Sequence, residues 1–404
     1  MVVALLGFFQ HQFSLRSVPR IVMKKGTNMV MTFLVFFLGF FSLSPLVAMS
    51  AEVDWPIFRG DQMLTGVAKG KLSDSMRLLW TFETEDEIKS SPVIGGSYVY
   101  IGSTDGRVYS LNLQSGKRIW KYDAGFPIEA SPLLVSDTVF IGALDGVLHA
   151  LDARKGKLRW KYETGNRIMG SANWIKAGGG GIRILVGSYD TVMHCIDGAT
   201  GKEIWSFATE HYINGSPAVR AKEPAMIAFG GCDAHVHLVF AKNGEKIADI
   251  DTGSYIAASA ALEPDRAYVG NYAGKLVCID LASQRIRWEY GDEYEGAPFF
   301  SSPAVGKERV VVGSQDGFLH CVDKKSGKKI WTFMTGGDVD SSPVICGDRV
   351  VFGSMDGRLY MVDLMNGKEI WSYEIGAGIT GSPAVAGGMV VIGADDGRVY
   401  AFGP

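Results

Sequence analysis

Residues 314–331 read SQDGFLHCVDKKSGKKIW, and much the same string appears six more times along the chain. Its closing tryptophan sets the ruler: Trp80, Trp120, Trp160, Trp205, Trp288, Trp331 and Trp371 are spaced by 40, 40, 45, 83, 43 and 40 residues. The interval of 83 hides one degenerate copy, NGEKIADI (243–250), with Ala248 in the tryptophan place. A period of about 40–45 residues suits the blades of a propeller. Each copy carries four strand signals: SPVICGD (342–348), RVVFGS (349–354), RLYMVD (358–363) and KEIWSYE (368–374). Asp356-Gly357 and Asn366-Gly367 divide the later ones, and such pairs supply the positive φ that tight hairpins need. The step from the turn position to the tryptophan position is always 15, as in Asp105 to Trp120 and Asp316 to Trp331. The degenerate copies keep it, from Asp233 to Ala248 and from Ala273 to Trp288, so these hairpins hold one register.

Counting closes the circle. The last copy, SPAVAGGMVVIGADDGRVYAFGP, stops after its third strand, and LLWTFET (78–84) has no strands before it. The sequence therefore predicts an all-β, eight-bladed β-propeller of four-stranded antiparallel blades, with strand 78–84 completing the last blade. Closure of this kind leaves no ring edge open to pairing. A tryptophan on the outer strand can lie between neighbouring blades. Burying ~200 Å² of it at ~25 cal/mol/Å² gives roughly 5 kcal/mol gross, an upper bound. The seven tryptophans are therefore read as structural.

The chain has 404 residues, 47% of them apolar, with 51 glycines and a net charge of −3. Residues 1–51 hold Arg16, Arg20, Lys24 and Lys25 and no acid, so the remainder carries 36 basic against 43 acidic side chains. That balance argues against nucleic acid as a partner. Met23-Lys24-Lys25 precedes an uncharged apolar run (29–49) and then AMSA (48–51), the pattern of a secretory signal peptide. A periplasmic or extracellular location is expected; the alternative is an inner-membrane anchor formed by residues 29–49, nearly long enough to span a bilayer. Met23 makes the more ordinary start. Residues 1–50 are thus read as extension and signal, 51–77 as a lead-in, and 78–404 as the propeller.

Cys195, Cys278 and Cys321 fall at one position of the third strand, where Ser110 and Ala150 stand in other copies, and read as small buried fillers. Cys232 and Cys346 have no obvious mates. His149, His194, His237 and His320 each follow the turn position by four residues, where Tyr109, Tyr360 and Tyr400 stand elsewhere. One histidine per blade does not make a metal cluster, so no metal site is expected.

The pattern G-S-x-D-G-x-[LV]-[YH]-x-[VIL]-D-x-x-[ST]-G-K-x-[IL]-W resembles the repeat of the pyrroloquinoline quinone (PQQ) propeller superfamily, with its tryptophan-docking motifs. Residues 313–331 and 353–371 match it closely, and 102–120 and 142–160 nearly so. DWPIFRGDQMLTG (54–66) looks like the lead-in of secreted members. The resemblance implies kinship with two kinds of protein: quinoprotein dehydrogenases, which use PQQ and Ca²⁺, and the outer-membrane barrel-assembly lipoprotein BamB. Against the dehydrogenases, this chain lacks their adjacent Cys-Cys pair and their long insertions. Against BamB itself, no cysteine follows the apolar run.

Two residues before the serine that begins each inner strand stand Lys89, Glu129, Met169, Asn214, Ala257, Phe300, Asp340 and Thr380. These positions are expected around one mouth of the central channel. By type, Lys89, Glu129, Asn214 and Asp340 match groups that in the quinoproteins hold Ca²⁺, act as base and contact the quinone; Asp340 and Glu129 would be the catalytic carboxylates. Two connections on that face are lengthened, HYIN (211–214) and GDEYEGAPFF (291–300). The second offers Asp292, Glu293, Tyr294, Glu295, Phe299 and Phe300, aromatic and acidic together, as a protein or peptide contact. AGGGG (177–181) reads as a loop tip on the opposite face. The expected function is a non-catalytic, monomeric scaffold in the cell envelope that binds proteins and needs no cofactor. The alternative is a PQQ- and Ca²⁺-dependent oxidoreductase or a PQQ-binding protein.

Overall fold

The computed structural model describes residues 54–291 and 296–404. Among these the chain forms thirty-four strands and a single 3-10 turn at Gly178–Gly180. Eight antiparallel sheets follow one another in order. Blades 1 to 7 occupy residues 93–123, 133–163, 173–208, 218–251, 261–290, 304–334 and 344–374. Blade 8 is built from 384–403 and closed by Arg77–Glu83, which pairs antiparallel with Arg398–Gly403. The chain is thus an eight-bladed propeller, and the closing strand lies within one residue of its predicted place.

The sequence repeat has a packing explanation. In blade 1, Trp120 stands opposite Ser110; in blades 2, 3, 5 and 6 the residues opposite the tryptophan are Ala150, Cys195, Cys278 and Cys321. The side chain opposite the indole is thus small in these blades and in blade 8, where Ala401 faces Trp80, and the three buried cysteines supply it, while blade 7 sets Met361 opposite Trp371. Blade 4 inverts the pair: Leu238 stands opposite Ala248. The indole then reaches across the blade boundary. Trp120 Nε1 donates to Ala153 O at 2.9 Å, Trp331 Nε1 to Leu364 O at 2.9 Å, and Trp80 Nε1 to Leu113 O at 2.8 Å, which joins blade 8 to blade 1. Six of the seven rings, all but Trp371, lie on a glycine of the next blade. At Gly327 (φ +69°) a Cβ would stand 2.6 Å from the Trp288 ring, so glycine is required there twice over, for conformation and for space. Where Ala248 leaves no indole to accommodate, the corresponding residue of blade 5 is Gln284, which keeps a positive φ of 57°.

The histidines serve the same repeat. The turn aspartate bonds the side chain four residues on, as Tyr109 Oη to Asp105 (2.5 Å), His194 Nε2 to Asp190 (3.0 Å) and His320 Nε2 to Asp316 (2.9 Å). All five cysteines are free, and burial pushes the thiols of Cys195, Cys278 and Cys321 up to about 12.

The lead-in does more than precede the propeller. Asp54–Trp55 pairs with the inner strand of blade 1. Carbonyls then accept from one blade after another: Pro56 O from Leu134, Gln62 O from Val219, Met63 O from Leu262, Thr65 O from Val305 and Gly66 O from Ile345. Asn173 of blade 3 also donates to Gln62 O. Finally Val67–Ala68 runs parallel to the inner strand of blade 7. Inner strands expose unpaired N–H groups, and this segment satisfies them around most of the ring. Its contacts fall three to four residues beyond the serines that begin the inner strands, so it closes the channel at the end away from those serines. Sequence alone did not assign it this role.

Candidate binding face and central well

With one end plugged, the channel becomes a blind well of about 180 Å³. All eight rim positions expected from the sequence line it: Lys89, Glu129, Met169, Asn214, Ala257, Phe300, Asp340 and Thr380. Phe58 of the plug lines it from below. Behind Phe58 lies Arg59, 1% exposed, its guanidinium carbon 5.9 Å from the Phe58 ring centroid and its Nη2 against Gly66. Its side-chain nitrogens find no acceptor among the described residues, and burial lowers its pKa to about 9.

The wall of the well is a closed ring of serines. The Ser91 N–H donates to Ser131 Oγ at 3.0 Å, and the pattern runs through Ser171, Ser216, Ser259, Ser302, Ser342 and Ser382 back to Ser91 Oγ at 2.8 Å. Each hydroxyl accepts one bond and retains a proton and a lone pair. Among the described residues these eight hydroxyl protons have no acceptor, although the serines are buried. Asn214 donates to Cys232 Sγ at 3.1 Å, while its Oδ1 is buried without a donor.

Outside the ring every blade repeats a three-residue unit. The turn residue donates its N–H to the carbonyl of the connection residue that lies two positions before the rim residue. Examples are Thr104 to Glu87 (3.0 Å), Tyr189 to Arg167 (3.0 Å), Tyr272 to Tyr255 (2.9 Å) and Met355 to Asp338 (2.8 Å). Backbone geometry is therefore uniform around the face, and the side chains alone give it character. Blades 3 to 6 contribute aromatics: Tyr189 and Tyr212 stack at 4.8 Å and 6°, His211 meets Tyr212 at 4.4 Å and Tyr255 at 6.3 Å, Tyr255 meets Tyr272 at 6.3 Å, and Tyr272 meets Phe300 at 4.8 Å. Arg167 lies over Tyr189 at 5.3 Å. Tyr212, Tyr255 and Tyr272 are 41%, 56% and 42% exposed, unusual for rings this size that no other described element covers.

Blades 7, 8, 1 and 2 contribute acids: Asp338, Asp340, Asp395, Glu87 and Glu129. Lys89 pairs with Glu87 at 3.3 Å and also feels Glu129 and Asp395, which help hold its pKa up against desolvation. Asp340 accepts from Gln315 at 3.2 Å, and Asp395 from Thr380 at 3.0 Å. Burial, with acid neighbours added, raises both carboxyls above the usual range. Glu129, Asn214 and Asp340 stand on blades 2, 4 and 7. No three His, Cys, Asp or Glu side chains among the described residues are grouped to hold a metal ion. A well of this size also falls below the ~300–1,000 Å³ typical of organic-ligand pockets. These residues form a polar rim around the mouth of the well.

The lengthened loops divide. Asp292, Glu293, Tyr294 and Glu295 lie outside the described residues. Phe300 lines the well, but Phe299 does not face a partner: it is 3% exposed, edge-on to His320 at 5.4 Å. It takes the buried anchor position filled by Ile88, Ile128 and Val339 in other blades, because the residue between a connection and the rim must point into the core. Sequence reasoning placed the rim but missed Phe58, Asp395, Gln315 and most of the aromatic arc. The signal for the arc was the variable residue of the G-S-x-D-G turn, Tyr189 and Tyr272 among its instances. Another cavity, of about 780 Å³, lies on the opposite face between blades 3 and 4, lined by Trp174, Phe240, Arg183 and the 177–178 loop.

Fold and face together define an eight-bladed propeller with a plugged channel and a side-chain-patterned rim. The sequence profile of the family described as outer membrane protein assembly factor BamB matches residues 68–175 and 232–404. The chain belongs to this family of PQQ-like propellers. A second profile, described as glucose/ethanol/alcohol dehydrogenase, β-propeller domain, matches 124–236. No curated protein matches the sequence. Among solved structures, BamB from Moraxella catarrhalis aligns over 82% of this chain and 98% of its own, at 19% identity and a TM-score of 0.69. Quinohemoprotein alcohol dehydrogenase from Comamonas testosteroni aligns over 86% of this chain and 80% of its own, at 15% identity and a TM-score of 0.71. A europium-containing methanol dehydrogenase aligns over 87% and 98%, at 14% identity and a TM-score of 0.70. At these identities the likeness shows the shared fold.

Proposed function

We propose that the protein is a non-catalytic propeller of the cell envelope that binds a protein partner through the face around its well. The observation that carries this reading is the exposed aromatic arc from Tyr189 to Phe300, a surface suited to desolvation by a partner rather than by solvent. The family description, which names an outer-membrane assembly factor, supports an envelope location. So does the signal-like stretch within residues 1–51, which lies outside the described residues. No helix among the described residues is long and apolar enough to cross a membrane.

Site-specific photocrosslinking tests the reading. A benzophenone amino acid at Tyr255 is expected to trap a discrete protein in producing cells, while one at Lys155, on an outer turn, traps none. Equal capture from both positions, or none from Tyr255, would remove the face as the contact.

The second reading, PQQ with Ca²⁺, is favoured by one observation: Lys89, Glu129, Asn214 and Asp340 line one well. Calorimetric titration with PQQ in Ca²⁺ buffer decides it. Micromolar binding that Asp340→Ala abolishes would make the protein a quinoprotein; no heat and no thermal shift would leave the scaffold reading standing.

A further inference from the structure

The division of the face into an aromatic half and an acidic half specifies what kind of partner fits. The acidic half holds five carboxylates at the three repeating positions of blades 7, 8, 1 and 2, and the ammonium of Lys89 alone among those positions opposes them. The depth of the well adds an independent requirement. The serine hydroxyls, 3–6% exposed, can each turn a free lone pair toward the axis. The negative rim calls for a cation, and hydroxyls that can accept beneath it suit one rich in donors. The aromatic half calls for apolar or aromatic side chains beside that cation. A well of about 180 Å³ has the space of some six waters at ~30 Å³ each, enough for a lysine side chain but not for a folded element.

We propose that this face binds a lysine-bearing peptide segment of a partner protein. The ammonium enters the well between Asp340 and Glu129, and the flanking side chains lie over Tyr212, Tyr255 and Tyr272. The assignment rests on the reading of this face as the partner-binding surface, and deepens it. The lysine supplies a positive charge beside Asp340, whose charged neighbour is Asp338, and the tyrosines give area at small cost in side-chain freedom.

Selection of a random twelve-residue peptide library displayed on phage, against the immobilised protein, tests the proposal. Enriched peptides are expected to carry lysine next to aromatic or leucine residues. Synthetic copies should bind at least tenfold more weakly to Asp340→Asn, and at least fivefold more weakly to Tyr255→Ala. Acetylating the lysine should abolish binding, and raising salt from 50 to 300 mM should weaken it. Circular dichroism and thermal melts of both variants confirm that each is folded. If peptides without lysine are enriched, and lose binding with Tyr255→Ala but not with Asp340→Asn, the face binds peptides but the lysine assignment is wrong. If no enriched peptide responds to either variant, or if free polyamines bind as well as the peptides do, the proposal fails; in the first case the partner-binding reading fails with it.

Discussion

His149 is the one histidine of its repeat position whose bond to the turn aspartate is missing. His194, His237 and His320 each reach Asp190, Asp233 and Asp316 through Nε2. In His149 the Nε2 is buried without a partner, and only Nδ1 is met, by Tyr122 Oη at 3.1 Å. Burial, reinforced by Lys161 and only partly offset by Asp145, lowers its pKa from 6.5 to about 4. The unfolded chain therefore binds a proton at a pH where the native chain refuses it. Stability is full above pH 6.5 and falls as pH drops toward 4, by about 3 kcal/mol at 1.36 kcal/mol per pH unit. The repeat itself offers the repair: Phe82–Tyr109 and Phe333–Tyr360 occupy the equivalent inter-blade places, at 5.3 Å each. The double variant Tyr122→Phe/His149→Tyr should copy them, with Asp145 accepting the new hydroxyl. Calorimetric melts at pH 7.5 should agree with the parent within about 1 kcal/mol. At pH 4.5 the variant should be ahead by about 2.5 kcal/mol, some 5 °C for a domain of this size. Melting temperatures that fall in parallel between the two pH values would refute the assignment of this acid sensitivity to His149.

Three further outcomes are expected. Burial raises the Asp340 carboxyl above the usual range, so charging it takes stability away as pH rises; Asp340→Asn should thus melt at or above the parent temperature at pH 7, and a drop of more than about 5 °C would give it a structural duty instead. Gly327→Ala places a Cβ in the Trp288 ring at positive φ and should cost about 2–4 kcal/mol by denaturant titration, while Gln284→Ala, at the same place with no indole above it, should stay within ~0.5 kcal/mol; equal costs would disprove the role given to the ring. The triple variant Leu238→Ala/Ala248→Trp/Gln284→Gly should rebuild the missing indole contact at the boundary of blades 4 and 5 and raise the melting temperature by several degrees; a lower one would show that this boundary has settled into a different packing.

The architecture was legible because propeller blades are periodic, and periodicity survives in a sequence. The constant step of 15 residues encodes two physical links, from turn aspartate to histidine or tyrosine and from indole to the next blade. The rim was legible for the same reason, as Lys89 to Thr380 recur at one position of the repeat. What escaped was aperiodic or arises only on closure. Nothing in DWPIFRGDQMLTG announces that its carbonyls meet inner strands from several blades, since those partners lie as far away as Ile345 is from Gly66. Phe299 looked like its neighbour Phe300 until the backbone showed that alternate residues there turn inward. The arc of rings is a sum over four blades, each contributing one or two ordinary aromatics. Cys195, Cys278 and Cys321 were recognised as small fillers, but the reason for smallness, an indole across the strand pair, needed the register.

The closing strand and the plug also set a schedule. Both lie near the start of the chain, and Arg77–Glu83 pairs with Arg398–Gly403. At ~10 residues per second of synthesis, roughly half a minute separates the appearance of the two halves of blade 8. Throughout that interval a seven-residue strand with a tryptophan at its centre has no partner, and the plug segment has only those blades already made. Ring closure is a late and non-local event, the kind that folds slowly and exposes strand edges meanwhile. A chain that completes itself with its own first strand must remain attended, or be held unfolded, until its last strand arrives.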